Sequence, residues 1–162
     1  MSLPELFAVK TRPKAASSVV AVAAPPLSAD AVPPEALVPF VPDDAPLKAA
    51  VPAGDLRPLF RSRAEFFAPF LGVSFNRVSV KDQRSLWGSC SQQGNLNFSW
   101  RIALAPDPVL DYLVVHELAH RAQMNHSRAF WTLVERLCPA HRTHRRWLRK
   151  NGRALHDAVR PS

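Results

Sequence analysis

The segment formed by residues 115–126 contains the pattern His-Glu-x-x-His, in which the defined positions are His116, Glu117 and His120. On an α-helix, residues four apart are offset by about 40° around the axis and by about 6 Å along it. His116 and His120 therefore project from one face and can bind one metal ion. Zinc with nitrogen ligands and an open position lowers the pKa of its water towards ~7, and Glu117 is close enough to take that proton. The pattern predicts a metal-hydrolase centre.

A catalytic zinc needs a third protein ligand, and His126 is the best candidate. On a continuous helix it would lie about 9 Å beyond His120 and about 240° around the axis, facing away from the metal. The helix must therefore end first. Asn125 suits a left-handed turn that closes a helix, and Ser127 suits the cap of the next one. We expect the chain to fold back there and bring His126 to the metal.

The segments before this helix resemble strands. Residues 75–81 and 96–102 alternate apolar and polar side chains, and turn signals around Gly88 and Gly94 lie between them. This pattern predicts a small antiparallel sheet. The helix of the histidines then begins after residues 105–106, with Asp107 as its cap and Pro108 at its first position.

Three further helices are predicted from apolar spacing. A short amphipathic helix covers residues 59–70 and ends at Gly72. A second has Phe130, Val134 and Leu137 on its buried face. A third runs over residues 139–151, with Gly152 as its terminator. The fold class is therefore α+β, with a small sheet followed by three helices, the first of which carries His116.

The chain divides by composition. Residues 1–55 contain ten prolines and thirteen alanines, which predicts a disordered Pro/Ala-rich tail. This segment is either a tether or docking segment for a partner, or a solvated tail with no specific role. Residues 56–154 form the predicted domain, and residues 155–162 form a C-terminal tail.

Charge, cysteine count and hydropathy limit the location and the partners. The net charge is −2 over residues 1–55 and +10 over the rest, which is compatible with an acidic or nucleic-acid partner for the folded part but does not establish one. Two cysteines, Cys90 and Cys138, give no disulfide framework and indicate a reducing compartment. No apolar run approaches the ~20 residues needed to span a bilayer. We expect a cytoplasmic protein that does not enter the membrane.

Several motifs together resemble a known family. They are Trp-Gly-Ser-Cys-Ser at residues 87–91, Gly-Asn-Leu-Asn at 94–97, Trp-Arg at 100–101, Leu-Ala-Pro at 104–106, His-Glu-Leu-Ala-His at 116–120, Asn-His-Ser at 125–127 and Phe-Trp at 130–131. Their order and spacing over residues 75–152 resemble the YgjP-like zinc metallopeptidases, which are related to the SprT-like and WLM-type proteases.

This resemblance implies a minimal zincin fold that hydrolyses peptide bonds with Zn²⁺ as its cofactor. It implies His116, His120 and His126 as zinc ligands and Glu117 as the general base. It also implies that the substrate is a protein or a peptide. By the same analogy, the strand at residues 96–102 lies beside the cleft, where a peptide could add to its edge.

Other polar groups near these motifs have more ordinary interpretations. Cys90 has no activating histidine predicted beside it, so we expect a packing role. Tyr112 lies one turn before His116 and could face the metal. His141 and His144 are alternatives for a donor that stabilises the oxyanion, but neither enters the ligand set.

Two alternative functions remain. Six cations lie on one face of residues 142–153, namely Arg142, Arg145, Arg146, Arg149, Lys150 and Arg153. They favour a DNA-associated, SprT-like protease recruited through this basic helix, although a solvated basic face is the simpler interpretation. The second alternative is a non-enzymatic binding module with a structural metal, which would need a closed four-ligand site.

Overall fold

The computed structural model describes residues 32–160. The elements are, in chain order, a 3₁₀-helix (Pro34–Ala36), α1 (Arg57–Leu71), β1 (Arg77–Lys81), β2 (Gly88–Cys90), β3 (Asn95–Ser99), a second 3₁₀-helix (Trp100–Leu104), α2 (Asp107–Ala119), α3 (Arg128–Leu137) and α4 (His141–Asp157). The predicted α+β class is confirmed, with three helices after a small sheet. None of the helices within residues 32–160 is long and apolar enough to cross a membrane.

The sheet is mixed, whereas the sequence predicted an antiparallel one. Strand order is β1-β3-β2; β2 and β3 form an antiparallel hairpin, but β1 pairs with β3 in parallel. The two parallel strands end at the same edge, where Asp82 accepts a hydrogen bond from Trp100 Nε1 (3.3 Å) and pairs with Arg101. Alternating polarity reports which face a strand buries, but it does not report the direction of its neighbour.

Helix α2 is the centre of the fold. Each of its residues from Val109 to Ala119 is buried, between the sheet, α1, α3 and α4. A helix that is apolar on every side suits such a position, so any polar group within it needs a partner or a function. Asp111 has a partner, because Arg63 of α1 forms an ion pair with it. His116 and Glu117 are the other two buried polar residues of this helix.

The start of α2 differs by one residue from the prediction. Asp107 is the first helical residue rather than the cap, and its side chain makes no capping hydrogen bond. It accepts a hydrogen bond from Lys48 Nζ at 2.6 Å instead. A carboxylate in the first turn is still favourable, because it faces the positive end of the helix dipole.

Residues 32–55 differ from the predicted disordered tail. We call residues 32–56 the N-terminal strap; they lie on the core with Ala36, Val38, Val41 and Val51 buried. The strap is tied to the rest of the chain by hydrogen bonds from Val38 N to Leu137 O (2.7 Å), from Lys48 N to Leu104 O (2.7 Å) and from Trp147 Nε1 to Ala45 O (2.8 Å). Proline prevents helix and central strand, but an extended chain can still dock its valines and its carbonyl groups. Residues 1–31 lie outside the described part.

The end of the chain also differs from the prediction. Helix α4 passes through Gly152 and ends at Asp157, so residues 155–157 belong to the fold rather than to a tail. The apolar row of the helix continues to Leu155, which is fully buried. His156 stacks on Trp87 with ring centres 4.4 Å apart. The burial of Leu155 and this stacking outweigh the tendency of glycine to end a helix.

Candidate metal centre

Three histidines converge at the end of α2. His116 lies in the last turn of the helix, His120 is its C-cap, and His126 lies just before α3. One nitrogen from each lies within 4.8 Å of the others, and the Nε2 atoms of His116 and His126 are 3.2 Å apart. The chain reverses between the helices, and Ser127 Oγ accepts a hydrogen bond from Phe130 N (3.3 Å) as the N-cap of α3. The reversal brings His126 back to the cluster.

In two of these rings, the Nδ1 atom that points away from the cluster has a hydrogen-bond partner of its own. His120 Nδ1 donates to the carbonyl oxygen of Gln123 at 3.0 Å, which leaves the lone pair on Nε2. The Tyr112 hydroxyl lies 3.3 Å from His116 Nδ1, so this tyrosine, which on its helical position could have faced the metal, lies behind the ring. Groups in this position orient ligating histidines. The sequence analysis did not assign these partners to the histidines.

Aromatic side chains of α3 cover the cluster. The Phe130 ring centre is 4.9 Å from His116, 4.5 Å from His120 and 4.9 Å from His126. Burial, followed by the neighbouring histidines, holds the pKa of His116 well below its usual range. Burial lowers the pKa of His120 to about 4. Both imidazoles are therefore neutral at pH 7, which is the form that binds a metal ion.

Glu117 is only 2% exposed and lies against the backbone of β2. A Cβ atom added to Gly88 would approach Glu117 Oε1 to 2.8 Å, so the glycine leaves room for the carboxylate in its present position. Burial raises the pKa of Glu117 to about 8. The sequence did not link Gly88 to Glu117, although a glycine inside a strand often marks a close approach of this kind.

Other side chains considered from the sequence lie outside this cluster. Cys90 and Cys138 are free and buried, and burial raises the pKa of each thiol to about 12. Both thiols are therefore protonated at neutral pH, which agrees with the packing role expected for Cys90. His144 bridges Cys138 Sγ (3.3 Å) and the carbonyl oxygen of Pro39 (2.9 Å), so it ties α4 to the N-terminal strap.

The basic face of α4 is exposed to solvent, as its sequence pattern suggested. Its members are Arg142, Arg145, Arg146, Arg149, Lys150 and Arg153. Arg146 pairs with Asp43 of the strap (3.0 Å), and Arg153 lies 3.9 Å from Asp157. Part of the charge is thus balanced within the protein. Arg145 differs from the other five because it lies over the Trp131 ring, beside the histidine cluster.

Comparison with known proteins identifies the family. A family model of the YgjP-like metallopeptidase domain matches residues 52–151. The chain belongs to the YgjP-like family. This confirms the resemblance found in the sequence motifs, and it means that the domain is of a metallopeptidase type that acts on proteins or peptides. A search of curated proteins gives no match.

A solved structure shares the fold of the YgjP-like domain. The crystal structure of the metallopeptidase zymogen abylysin from Pyrococcus abyssi superposes with a TM-score of 0.52 at 21% identity, covering 62% of this chain and 99% of that chain. At this identity the comparison supports the fold alone. The three-histidine cluster could hold a metal ion, as a metallopeptidase requires.

Proposed function

We propose that this YgjP-like protein is a zinc-dependent peptidase in which His116, His120 and His126 hold the metal and Glu117 is the general base. The convergence of three imidazole nitrogens beside a buried glutamate is the observation that carries this proposal. Three nitrogen donors suit zinc, and the neutral state of His116 and His120 suits ligation. The partners of their Nδ1 atoms, Tyr112 and Gln123, add the outer support that such sites use.

The number of ligands favours catalysis over a structural metal. Within residues 32–160, no fourth histidine, cysteine, aspartate or glutamate joins the group. Zinc held by these three side chains alone would keep a position for water or substrate, and there it would supply a Lewis acid that polarises a carbonyl group and lowers the pKa of water. Glu117 takes the proton of the attacking water and returns it to the leaving amine.

Strand β2 offers a place for the peptide. The sequence suggested the edge of residues 96–102, but β3 is the central strand and both of its sides are paired. Ser99 N donates to Trp87 O, and Ser91 N donates to Asn95 O. The backbone groups of residues 87 and 91 therefore point towards β3. In an antiparallel ladder the intervening Gly88 and Cys90 then direct their backbone groups outwards. An extended substrate adding to this edge would lie beside Glu117.

The test combines metal analysis with peptide cleavage. Purified wild type should contain one zinc per chain by elemental analysis, His126→Ala should lose most of it, and Glu117→Gln should keep it. Glu117→Gln should lower peptide cleavage by about 10²–10⁴-fold, because the proton acceptor is removed while the metal ligands stay. His156→Ala is the matched histidine control and should change neither. Wild-type cleavage by Glu117→Gln would show that the base is wrongly assigned.

DNA association through the basic face of α4 stays a prediction. The exposure of its six cations agrees with it, but the ion pair between Arg146 and Asp43 reduces the charge available to a phosphate backbone. A cytoplasmic location also stays a prediction.

A further inference from the structure

One wall of the candidate cleft combines an aromatic ring with a cation. Trp131, on the second turn of α3, is partly buried, and its ring centre lies 5.8 Å from that of His116 and 5.9 Å from that of His126. The Arg145 guanidinium carbon lies over the same ring, 4.7 Å from its centre. The indole ring thus lies between the histidine cluster and the guanidinium group.

The position of this ring is fixed from a second side. His141 stacks on Trp131 with ring centres 5.0 Å apart and an interplanar angle of 22°. His141 is 4% exposed, and its Nε2 lies 3.1 Å from Glu135 Oε1. Glu135, on the same helix as Trp131, is therefore a partner of His141. Trp131 of α3 is held against α4 by His141, and its ring supports the guanidinium of Arg145.

Arg145 differs from its neighbour Arg146 in its ion pairing. Among residues 32–160 no acidic side chain forms an ion pair with it, whereas Arg146 on the same helix pairs with Asp43 at 3.0 Å. Arg145 is exposed to solvent. It is also close enough to the histidine cluster for its charge to contribute to the lowered pKa of His116. A guanidinium stacked on an indole ring loses less side-chain entropy when it binds, because its plane is already oriented.

We propose that Arg145, supported by Trp131, is a subsite for a carboxylate of the peptide substrate, close to the bond that is cut. This deepens the proposed function and rests on it. The Arg145 guanidinium is 4.7 Å from a ring that is itself 5.9 Å from His126, so about three residues of extended peptide, at about 3.3 Å each, cover the distance. The carboxylate belongs either to an acidic side chain or to the C-terminus of a short substrate. A guanidinium binds both through paired hydrogen bonds.

The test uses matched peptides that differ by one charge. Glutamate and glutamine are exchanged at each of the three positions on either side of the cleaved bond, and kcat/KM is measured for wild type and variants. Wild type should prefer glutamate at one position by about tenfold, and Arg145→Gln should reduce this preference to within about twofold. Arg149→Gln is the control, since Arg149 is exposed one turn further along α4 and has no ring contact among the described residues. It should keep the preference.

Two further variants separate recognition from packing. Arg145→Glu should prefer lysine at the position where wild type prefers glutamate, an inversion that loss of packing cannot produce. Arg145→Lys should keep a preference of about threefold, because the charge remains while the planar stacking is lost. The same peptides with a free or an amidated C-terminus show which carboxylate is bound. If only the free terminus matters, the subsite binds the substrate end.

Calorimetric binding of the same peptides to Glu117→Gln protein distinguishes this proposal from the proposed function. Suppose that the wild type cuts none of the peptides, but that binding still depends on their charge and that Arg145→Gln removes this dependence. The subsite would then stand, and the peptidase activity would be overturned. Cleavage with no preference for glutamate and none for a free over an amidated C-terminus, or a preference of either kind that persists in Arg145→Gln, would overturn the subsite and leave the activity standing. Absence of charge selectivity in both cleavage and binding would also overturn the subsite.

Discussion

The two walls of the candidate site differ in almost every physical respect. The α2 wall carries His116, Glu117 and His120, whose exposed fractions are 0%, 2% and 2%. The wall formed by α3 and α4 carries Trp131, which is partly buried, and Arg145, which is exposed. Charges and dipoles interact more strongly where water is excluded, so the first wall suits bond making and breaking. The second suits recognition, because a group on it can be reached from solvent.

The difference follows from the position of the helices. α2 lies at the centre of the fold, so its side chains are fixed on all sides and their pKa values are shifted by burial. α3 and α4 each bury only one face and leave the other to solvent. We therefore expect changes in the α2 wall to affect rate and metal binding, and changes in the α3–α4 wall to affect the choice of substrate. Three changes that act on the side chains of the α2 wall should show effects of decreasing size.

The largest effect is expected for Gly88→Ala. The added Cβ would lie 2.8 Å from Glu117 Oε1 and 3.0 Å from its Cγ, so the carboxylate must move. The end of a glutamate side chain moves at little cost in stability, but a displacement of about 1 Å at a reacting group lowers the rate about 10²-fold. We expect kcat to fall about a hundredfold while the zinc content stays at one per chain.

Gly152→Ala is the matched glycine control for this change. Its Cβ would meet Trp87 at an ordinary 3.5 Å, and alanine is favoured over glycine inside a helix by about 0.5–1 kcal/mol. Thermal unfolding should shift slightly upwards and cleavage should not change. Equal rates for Gly88→Ala and wild type would mean that the close contact with Gly88 does not position the base.

A pH effect of intermediate size is expected in metal-free protein. His120 has a folded pKa of about 4 against its usual 6.5, so it stabilises the fold above pH 6.5 and loses this contribution as pH falls towards 4. Asp111 and Glu117, whose pKa values burial raises, act in the opposite direction over part of this range. The His120 contribution is therefore measured as the difference in unfolding free energy between wild type and His120→Gln in chelator. It should change by about 2 kcal/mol from pH 7 to pH 4 in favour of the variant. A difference independent of pH would mean that His120 is not buried in the neutral form.

The smallest of the three effects is expected for Tyr112→Phe. The change removes the hydroxyl 3.3 Å from His116 Nδ1 and keeps the aromatic ring. Loss of such an outer partner lowers metal affinity about 10–100-fold, and we expect the lower end because Phe130 still packs on the His116 ring. Competition with a chelator of known affinity measures the change. An affinity equal to that of wild type would assign Tyr112 to packing alone.

The features predicted correctly from the sequence are the local ones. The spacing of His116 and His120, the cap at Ser127 and the order of strands and helices all depend on residues that are close in the chain. The parallel pairing of β1 with β3 was missed because a strand pattern contains no information about its neighbour. The strap and the last turn of α4 were missed for the same reason, since distant residues such as Leu137 and Trp87 hold them.

The same limit applies to the site. Gly88 is 29 positions from Glu117, and nothing in the order of residues shows that one makes room for the other. Arg145 belongs to a basic stripe whose members look equivalent in the sequence, and only the packing of α3 on α4 distinguishes it. Tyr112 was placed on the correct helical face, but the side of the His116 ring that it contacts depends on the rotation of both side chains.

The N-terminal strap has a consequence for how this domain can be inherited. The family match begins at residue 52, but Val38, Val41 and Pro39 already contribute to the core or bind its helices. A gene segment cut at the start of the family match would leave the indole nitrogen of Trp147 and the ring of His144 without the carbonyl groups that they bind. Recombination that transfers this domain to another protein must therefore transfer the strap as well, or supply a segment that offers the same acceptors. The unit that evolution can move is larger than the unit that sequence similarity detects.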